Sequence, residues 1–221
     1  MKQKSRYIWT NIKLVCTIVP IVLLMIVIYF ILVRNEITTL SKAKLALESQ
    51  NYAEDISTWA DSVLQEMTIY KSMAEQIGLE KAETYKMMDT SAGTHSAYPY
   101  GLYLGDDQGN YYDSSGWIPG DDFVVTERDW YQEGLGHDAF AFGEPYVDAM
   151  TGGTCVSVTA RLSTGPAVSV LAADVYLDYA AQLAKEITAT EIENAFFVTR
   201  ENRMIVAAST PALVGSILSA E

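Results

Sequence analysis

Residues 14–33, LVCTIVPIVLLMIVIYFILV, run for twenty positions without a charged side chain. A helix of that length, rising about 1.5 Å per residue, spans roughly 30 Å, the hydrocarbon thickness of a bilayer. Such a segment is either embedded in lipid or cleaved away as a leader. Leaders have shorter apolar cores followed by a small-residue cleavage site, whereas RNEITTL follows here. The run is therefore expected to be an uncleaved anchor, and Pro20 near its start is tolerated in a bilayer helix. Lys2, Lys4, Arg6 and Lys13 precede it, which keeps residues 1–13 in the cytoplasm. The expectation is a single-pass protein of the cell membrane whose bulk, beyond Arg34, is extracytoplasmic.

Charge divides the chain in the same place. The whole carries a formal charge of -13, yet no Asp or Glu occurs before Glu36. Residues 35–221 hold 10 basic and 28 acidic side chains, a net of -18. That balance excludes nucleic acid as a partner, since phosphates need basic patches. Cys16 lies in the apolar run and Cys155 does not, so no disulfide framework is expected. His95 and His137 are too scattered for a zinc site. No metal and no cofactor is called for.

Residues 35 to about 90 contain no Pro and one Gly, Gly78. Ile56, Trp59, Val63, Met67, Tyr70, Ala74 and Ile77 recur in steps of three or four, a helical stripe. It continues less cleanly back through Leu47, Leu40 and Ile37. The spacing predicts a long stalk or packing helix over 34–90. Its outer half is expected to pack on its own domain, and the membrane-proximal half can pair with a second copy in a homodimer. From residue 98 the texture becomes strand and turn: YPYGLYLG, DDQGN and YYDSS form a hairpin over 98–115. CVSVTARL at 155–162 and AVSVLAADVYL at 167–177 are longer strands, and TGGT closes a hairpin onto EPYVDAM. A helix over 177–190 and two strands around REN follow. The order predicts an α+β domain whose antiparallel sheet is covered on one face by helices.

Catalytic constellations are weak. Cys155 and His137 could form a thiol–base pair, but a lone strand cysteine is more often a buried hydrophobe, so the chain is not expected to be an enzyme. Asp106 and Asp107 lack the spacing of a calcium loop and fit a tight turn. Asp121 and Asp122 fit a solvated loop.

The segment VVTERDWYQEG is different. It places Arg128, Trp130 and Tyr131 within four positions, Tyr146 and Asp148 follow, and Asp174 sits in an otherwise apolar strand. A charged residue there needs a partner or a cavity. Arg presents a fork that fits a carboxylate, the acids accept from an ammonium group, and aromatic faces attract cations. A small zwitterion matches the set. An internal pair between Arg128 and Asp148 or Asp174, tying two strands together, explains the same residues equally well.

These stretches, ERDWYQEG, FGEPYVDAMTGGTCVSVTARL, VSVLAADVYLDYAAQL and FFVTRENRMIVAAS with LVGSIL after it, resemble the double Cache extracytoplasmic sensors of bacterial chemoreceptors, sensor kinases and cyclic-dinucleotide enzymes. The resemblance covers residues 14–221. It implies a membrane-distal, PAS-like module over 91–190 that holds the ligand, and the start of a second, membrane-proximal module over 191–221. A subset of the family binds amino acids through this constellation. By position, Arg128 would hold the carboxylate with Trp130 and Tyr131 beside it, while Tyr146, Asp148 and Asp174 would surround the amino group. One departure stands at Phe123, where that subset carries Tyr. Phe123 and Tyr103, with Tyr111 and Trp117, are further lining candidates. The resemblance also implies that the proximal module is truncated at Glu221 and lacks an output domain. The function expected is sensing of a small amine-bearing ligand, an amino acid above all, with a structural or interaction domain of the same fold as the alternative.

Overall fold

A computed structural model describes residues 2–188, 195–198, 205–214 and 216–218. The chain divides into two units, Met1–Ala53 and Glu54–Glu221. Helix α1 (Lys2–Ile77) supplies all that is described of the first unit and enters the second. Pro20 lies inside it. Leu23, Leu24, Met25 and Phe30 are each more than half exposed, and among the described residues α1 is the one helix long and apolar enough to cross a membrane. The predicted helical run to residue 90 breaks at Gly78, whose φ of 102° an L side chain rarely adopts. A separate helix α2 (Ala82–Asp89) follows.

The second unit is built on a five-stranded antiparallel sheet of β1 (Leu102–Asp106), β2 (Tyr111–Asp113), β3 (Ala141–Val147), β4 (Thr154–Arg161) and β5 (Ser169–Tyr176). Its order is β2-β1-β5-β4-β3. The two predicted hairpins and the two longer strands are present, so the fold is the α+β class the sequence suggested. The register sets the faces. Tyr103 lies opposite both Asp113 and Ala172, Asp174 opposite Ser157, and Tyr146 opposite Cys155. Because side chains alternate along a strand, these residues share one face, and Leu104, Val158, Leu171 and Val175 take the other.

The second of those faces packs on α1 through Val63, Met67 and Ala74 and on α2 through Met87 and Met88. This is the packing role expected for the outer half of the stripe. The sequence reading put helices on one face only, and here the structure corrects it. Helix α3 (Asp129–Leu135) lies on the opposite face, where Trp130 and Tyr131 cluster with Tyr103, Val170 and Ala172. Burying such side chains is worth about 1.5–3 kcal/mol each, which a strand rich in apolar residues on both sides cannot forgo. Two glycines permit the close approach. A Cβ on Gly134 would stand 2.3 Å from Val170 Cγ1, and one on Gly105 would stand 2.6 Å from the Trp130 ring.

Helix α4 (Asp178–Thr188) follows β5, and β6 (Phe196–Val198) pairs with β7 (Ile205–Ala208) as the predicted terminal strands. The REN turn between them falls outside the described residues.

Candidate ligand-binding site

The end of β5 and the start of α3 meet around a cleft. Arg128 is the residue at which a single 3-10 turn (Val125–Glu127) passes into α3. Trp130 follows one position into the helix and stands edge-on to Tyr103, ring centroids 4.9 Å apart. Across the cleft lie Tyr146 from the edge strand β3, Asp148 just beyond it, and Asp174 from β5. Edge position and a bulge between Phe142 and Pro145 let β3 accommodate its proline. Glu133 ties α3 to that bulge: the Glu144 N–H donates to its Oε1 at 3.5 Å, and a Cβ on Gly143 would stand 2.0 Å from its Oε2.

Asp174 is the electrostatic centre. Burial pushes its carboxyl up to about 6, while the Tyr103 and Tyr146 hydroxyls pull in the other direction. Both hydroxyls donate to the same oxygen, Oδ1, at 2.5 Å, and Oδ2 accepts nothing from the described residues. The phenols in turn are held protonated well above their usual range, by burial first and by the Asp174 charge next.

Asp148 is arranged differently. Its backbone N–H donates to the Gly153 carbonyl, and its carboxylate accepts from the Met150 and Thr151 N–H groups and from the Thr151 and Tyr176 hydroxyls. Burial raises its pKa, but those donors outweigh burial and hold it below the ordinary value. It closes the TGGT turn as well as facing the cleft.

Arg128 pairs with neither acid. Its guanidinium carbon lies 5.1 Å from the Phe123 ring centroid, a cation–π contact. Its Nε is buried with no hydrogen-bond partner. A buried donor left unpaired costs about 1–3 kcal/mol, so the group is poised for an acceptor. Phe123 thus contributes a ring face where a tyrosine would add a hydroxyl.

The structure therefore gathers Tyr103, Phe123, Arg128, Trp130, Tyr146, Asp148 and Asp174 around one cleft, with Tyr111 and Trp117 beside them. Tyr131 it places elsewhere: the residue is buried against the sheet, and its hydroxyl donates to the Val168 carbonyl at 2.8 Å. Consecutive helical residues point about 100° apart, so Trp130 and Tyr131 cannot both face the cleft. Five lining residues were not singled out in the sequence, Tyr100, Gly101, Asp113, Ala149 and Met150. Asp113 had a signal, being cross-strand from Tyr103 in the predicted hairpin. The cleft is narrow, about 40 Å³. At one edge Ser115 Oγ meets Met150 Sδ at 3.9 Å.

The rejected catalytic pair stays apart. His137 Nδ1 lies 3.0 Å from Thr159 Oγ1, and burial pushes the Cys155 thiol up to about 12, far from the thiolate a nucleophile needs. Asp106 accepts from the Gln108 and Asn110 N–H groups and from the Asn110 side chain, as a tight turn requires.

An antiparallel sheet packed on a long helix, with a polar and aromatic cleft on its other face, has the architecture of a ligand-sensing module. Residues 61–182 match the family model of the methyl-accepting chemotaxis protein-like, first PDC sensor domain, and the chain belongs to that family. Over 97 residues it is 34% identical to the methyl-accepting chemotaxis protein TlpB of Bacillus subtilis, a match covering 42% of this chain and 14% of that protein. The chain thus corresponds to a small part of the length of that relative. Among solved structures, the ligand-binding domain of the Pseudomonas fluorescens chemoreceptor CtaA in complex with L-isoleucine superposes with a TM-score of 0.64 and 24% identity, covering 76% of this chain and 68% of that one. The ligand-binding domain of Mlp24 with asparagine gives 0.67 and 20%, covering 82% and 76%. That of the Pseudomonas aeruginosa PAO1 chemoreceptor PctC in complex with GABA gives 0.62 and 17%, covering 76% and 75%. These likenesses show a shared fold.

Proposed function

We propose that this chain is the sensor part of a membrane-anchored receptor and that the cleft holds a small amine-bearing ligand, an amino acid fitting best. Residues 14–33 would anchor it with residues 1–13 in the cytoplasm, and residues 91–190 would form the membrane-distal sensing module. The observation that carries the reading is the separation of Arg128 from Asp174. The buried Arg128 Nε has no partner, and Asp174 Oδ2 accepts nothing among the described residues. A ligand carboxylate would satisfy Arg128, and its ammonium group would reach Asp174 with Asp148 nearby. Trp130 and Tyr146 would shield both contacts. The complexes of CtaA with L-isoleucine and Mlp24 with asparagine support the ligand class. The alternative, a Cache-like interaction domain without a small molecule, requires an internal Arg128–Asp pair, and none occurs among the described residues.

The cleft, about 40 Å³ as it stands, must widen to admit a ligand. Binding would then favour the open or rearranged state only by its differential affinity for it. The test is calorimetry on the full chain in detergent. Asp174→Ala should abolish binding of amino acids and of their decarboxylated amines. Arg128→Leu should weaken amino acids at least about tenfold, the worth of one charged hydrogen bond, and leave the amines nearly unchanged. Equal loss for both ligand types would contradict the carboxylate role of Arg128.

A further inference from the structure

The cleft carries more negative charge than a zwitterion needs. Among the described residues Arg128 is the one cation lining it, alongside three carboxylates, Asp113, Asp148 and Asp174. Asp148 and Asp113 both disfavour the charged form of Asp174, so the three feel one another through the same space. A neutral zwitterion would balance Arg128 with its carboxylate and one acid with its ammonium group. It would leave the other two acids hydrogen-bonded but without a cationic partner, in a site walled by aromatic rings where charge is weakly screened.

The acids do not converge on a point. Asp113 lies on β2 and Asp174 on β5, separated by β1. At about 4.8 Å between neighbouring strands, their backbones are roughly 10 Å apart or more. Among the described residues no three His, Cys, Asp or Glu side chains are placed to hold a metal ion. The excess charge is spread along the cleft, and an elongated organic ligand with two separated cationic groups complements it.

Asp113 is built to take the second of them. Its Oδ1 accepts from the Ser115 N–H and hydroxyl, and its Oδ2 accepts from Tyr111 at 2.8 Å. Those three bonds fix the carboxylate and leave one of its roughly four acceptor positions open. The Tyr111 ring stands edge-on to Trp117 at 6.1 Å, so an ammonium group at Asp113 would also lie against aromatic surface.

We infer that the cleft selects a dibasic amino acid, with Asp113 holding the side-chain cation. The inference rests on the reading of Arg128 and Asp174 given above, and extends it to the third acid. L-Lysine and L-norleucine share the same carbon chain and α-groups and differ in the terminal ammonium. Titrated calorimetrically into the full chain in detergent, lysine should bind about tenfold tighter or more, the size of one charge-assisted hydrogen bond. Asp113→Asn should abolish the preference, bringing lysine and norleucine to equal affinity. Norleucine binding as tightly as lysine would overturn the inference and leave the amino-acid reading standing. A lysine preference that survives Asp113→Asn would remove Asp113 from the role. Binding of neither ligand would sink the amino-acid reading and this inference with it. The lysine–norleucine comparison needs no substitution, so it decides even where Asp113→Asn unfolds.

Discussion

Along β4, Val156, Val158 and Ala160 face α1 and α2, while Cys155, Ser157 and Thr159 face α3 and the cleft, and all six are buried. β5 divides in the same way: Leu171, Ala173 and Val175 on the helix side, Val170, Ala172 and Asp174 on the other. The same strands thus bury two different chemistries. The helix-side face is apolar throughout and earns its stability from area removed from water. The cleft-side face is apolar only under α3 and turns polar toward the end of β5, where the Tyr103, Tyr146 and Tyr176 hydroxyls are committed to carboxylates. A wholly apolar face can only pack. A face that ends in a carboxylate with one open oxygen can also recognise.

If that division holds, a helix-side truncation should unsettle the fold and spare the ligand. Leu171→Ala removes a fully buried side chain from the α1 face, and its cost should fall in the range of about 2–5 kcal/mol. Thermal unfolding of the full chain in detergent measures it. Amino-acid affinity of the folded variant should stay within about twofold, because Leu171 points away from the cleft and distant sites act additively. A loss of affinity larger than that would mean the two faces are coupled through the strand.

The reverse experiment uses pH. Asp174 titrates in the folded chain at about 6, above the ordinary value of 3.8. Between those values the folded state holds a proton that the unfolded state has released. Stability from this group is therefore greatest at low pH and falls as pH rises from about 4 to about 6. Ligand binding runs the other way, since an ammonium group needs the ionised carboxylate. Asp148, held below the ordinary value, stays charged throughout, and Glu133, raised chiefly by burial, lies outside the cleft. Affinity for an amino acid should be about tenfold weaker at pH 5 than at pH 7, from the ionised fraction of a group titrating near 6. Calorimetry at the two values checks it. A flat profile would mean that Asp174 does not meet the amine.

Much of this division was legible in the sequence, and the residues say why. Tyr146, Asp148 and Asp174 fall on positions of equal parity in strands or just beyond one, so period-2 alternation gathers them once the hairpins are recognised. Arg128 and Trp130 stood out because a guanidinium fork beside an aromatic face suits a small charged ligand. Asp113 fell in a predicted hairpin strand, but only the register that sets it across from Tyr103, itself across from Ala172, brings it to the cleft face. Helix α3 was hidden by its length of seven residues, too short for a 3.6 period to declare itself, so the second covered face went unread. Gly78 was visible as a lone glycine, but only its φ of 102° makes it a break rather than a tolerated residue.

The smallest expected effect tests the residue on which sequence and structure part. Tyr131 was grouped with Arg128 and Trp130 because it is adjacent to them in the chain. In the fold its hydroxyl reaches the Val168 carbonyl, on the strand edge leading into β5, and its ring lies under α3. Tyr131→Phe keeps the ring and removes one neutral hydrogen bond, which should cost about 0.5–1.5 kcal/mol of stability. Because the hydroxyl points away from Asp174 and Arg128, ligand affinity and its pH profile should both be unchanged within about twofold. Melting temperature and calorimetry on the same variant separate the two effects. A tenfold loss of affinity without loss of stability would return Tyr131 to the binding face, and would mean that α3 rotates by about one residue, roughly 100°, when the ligand enters.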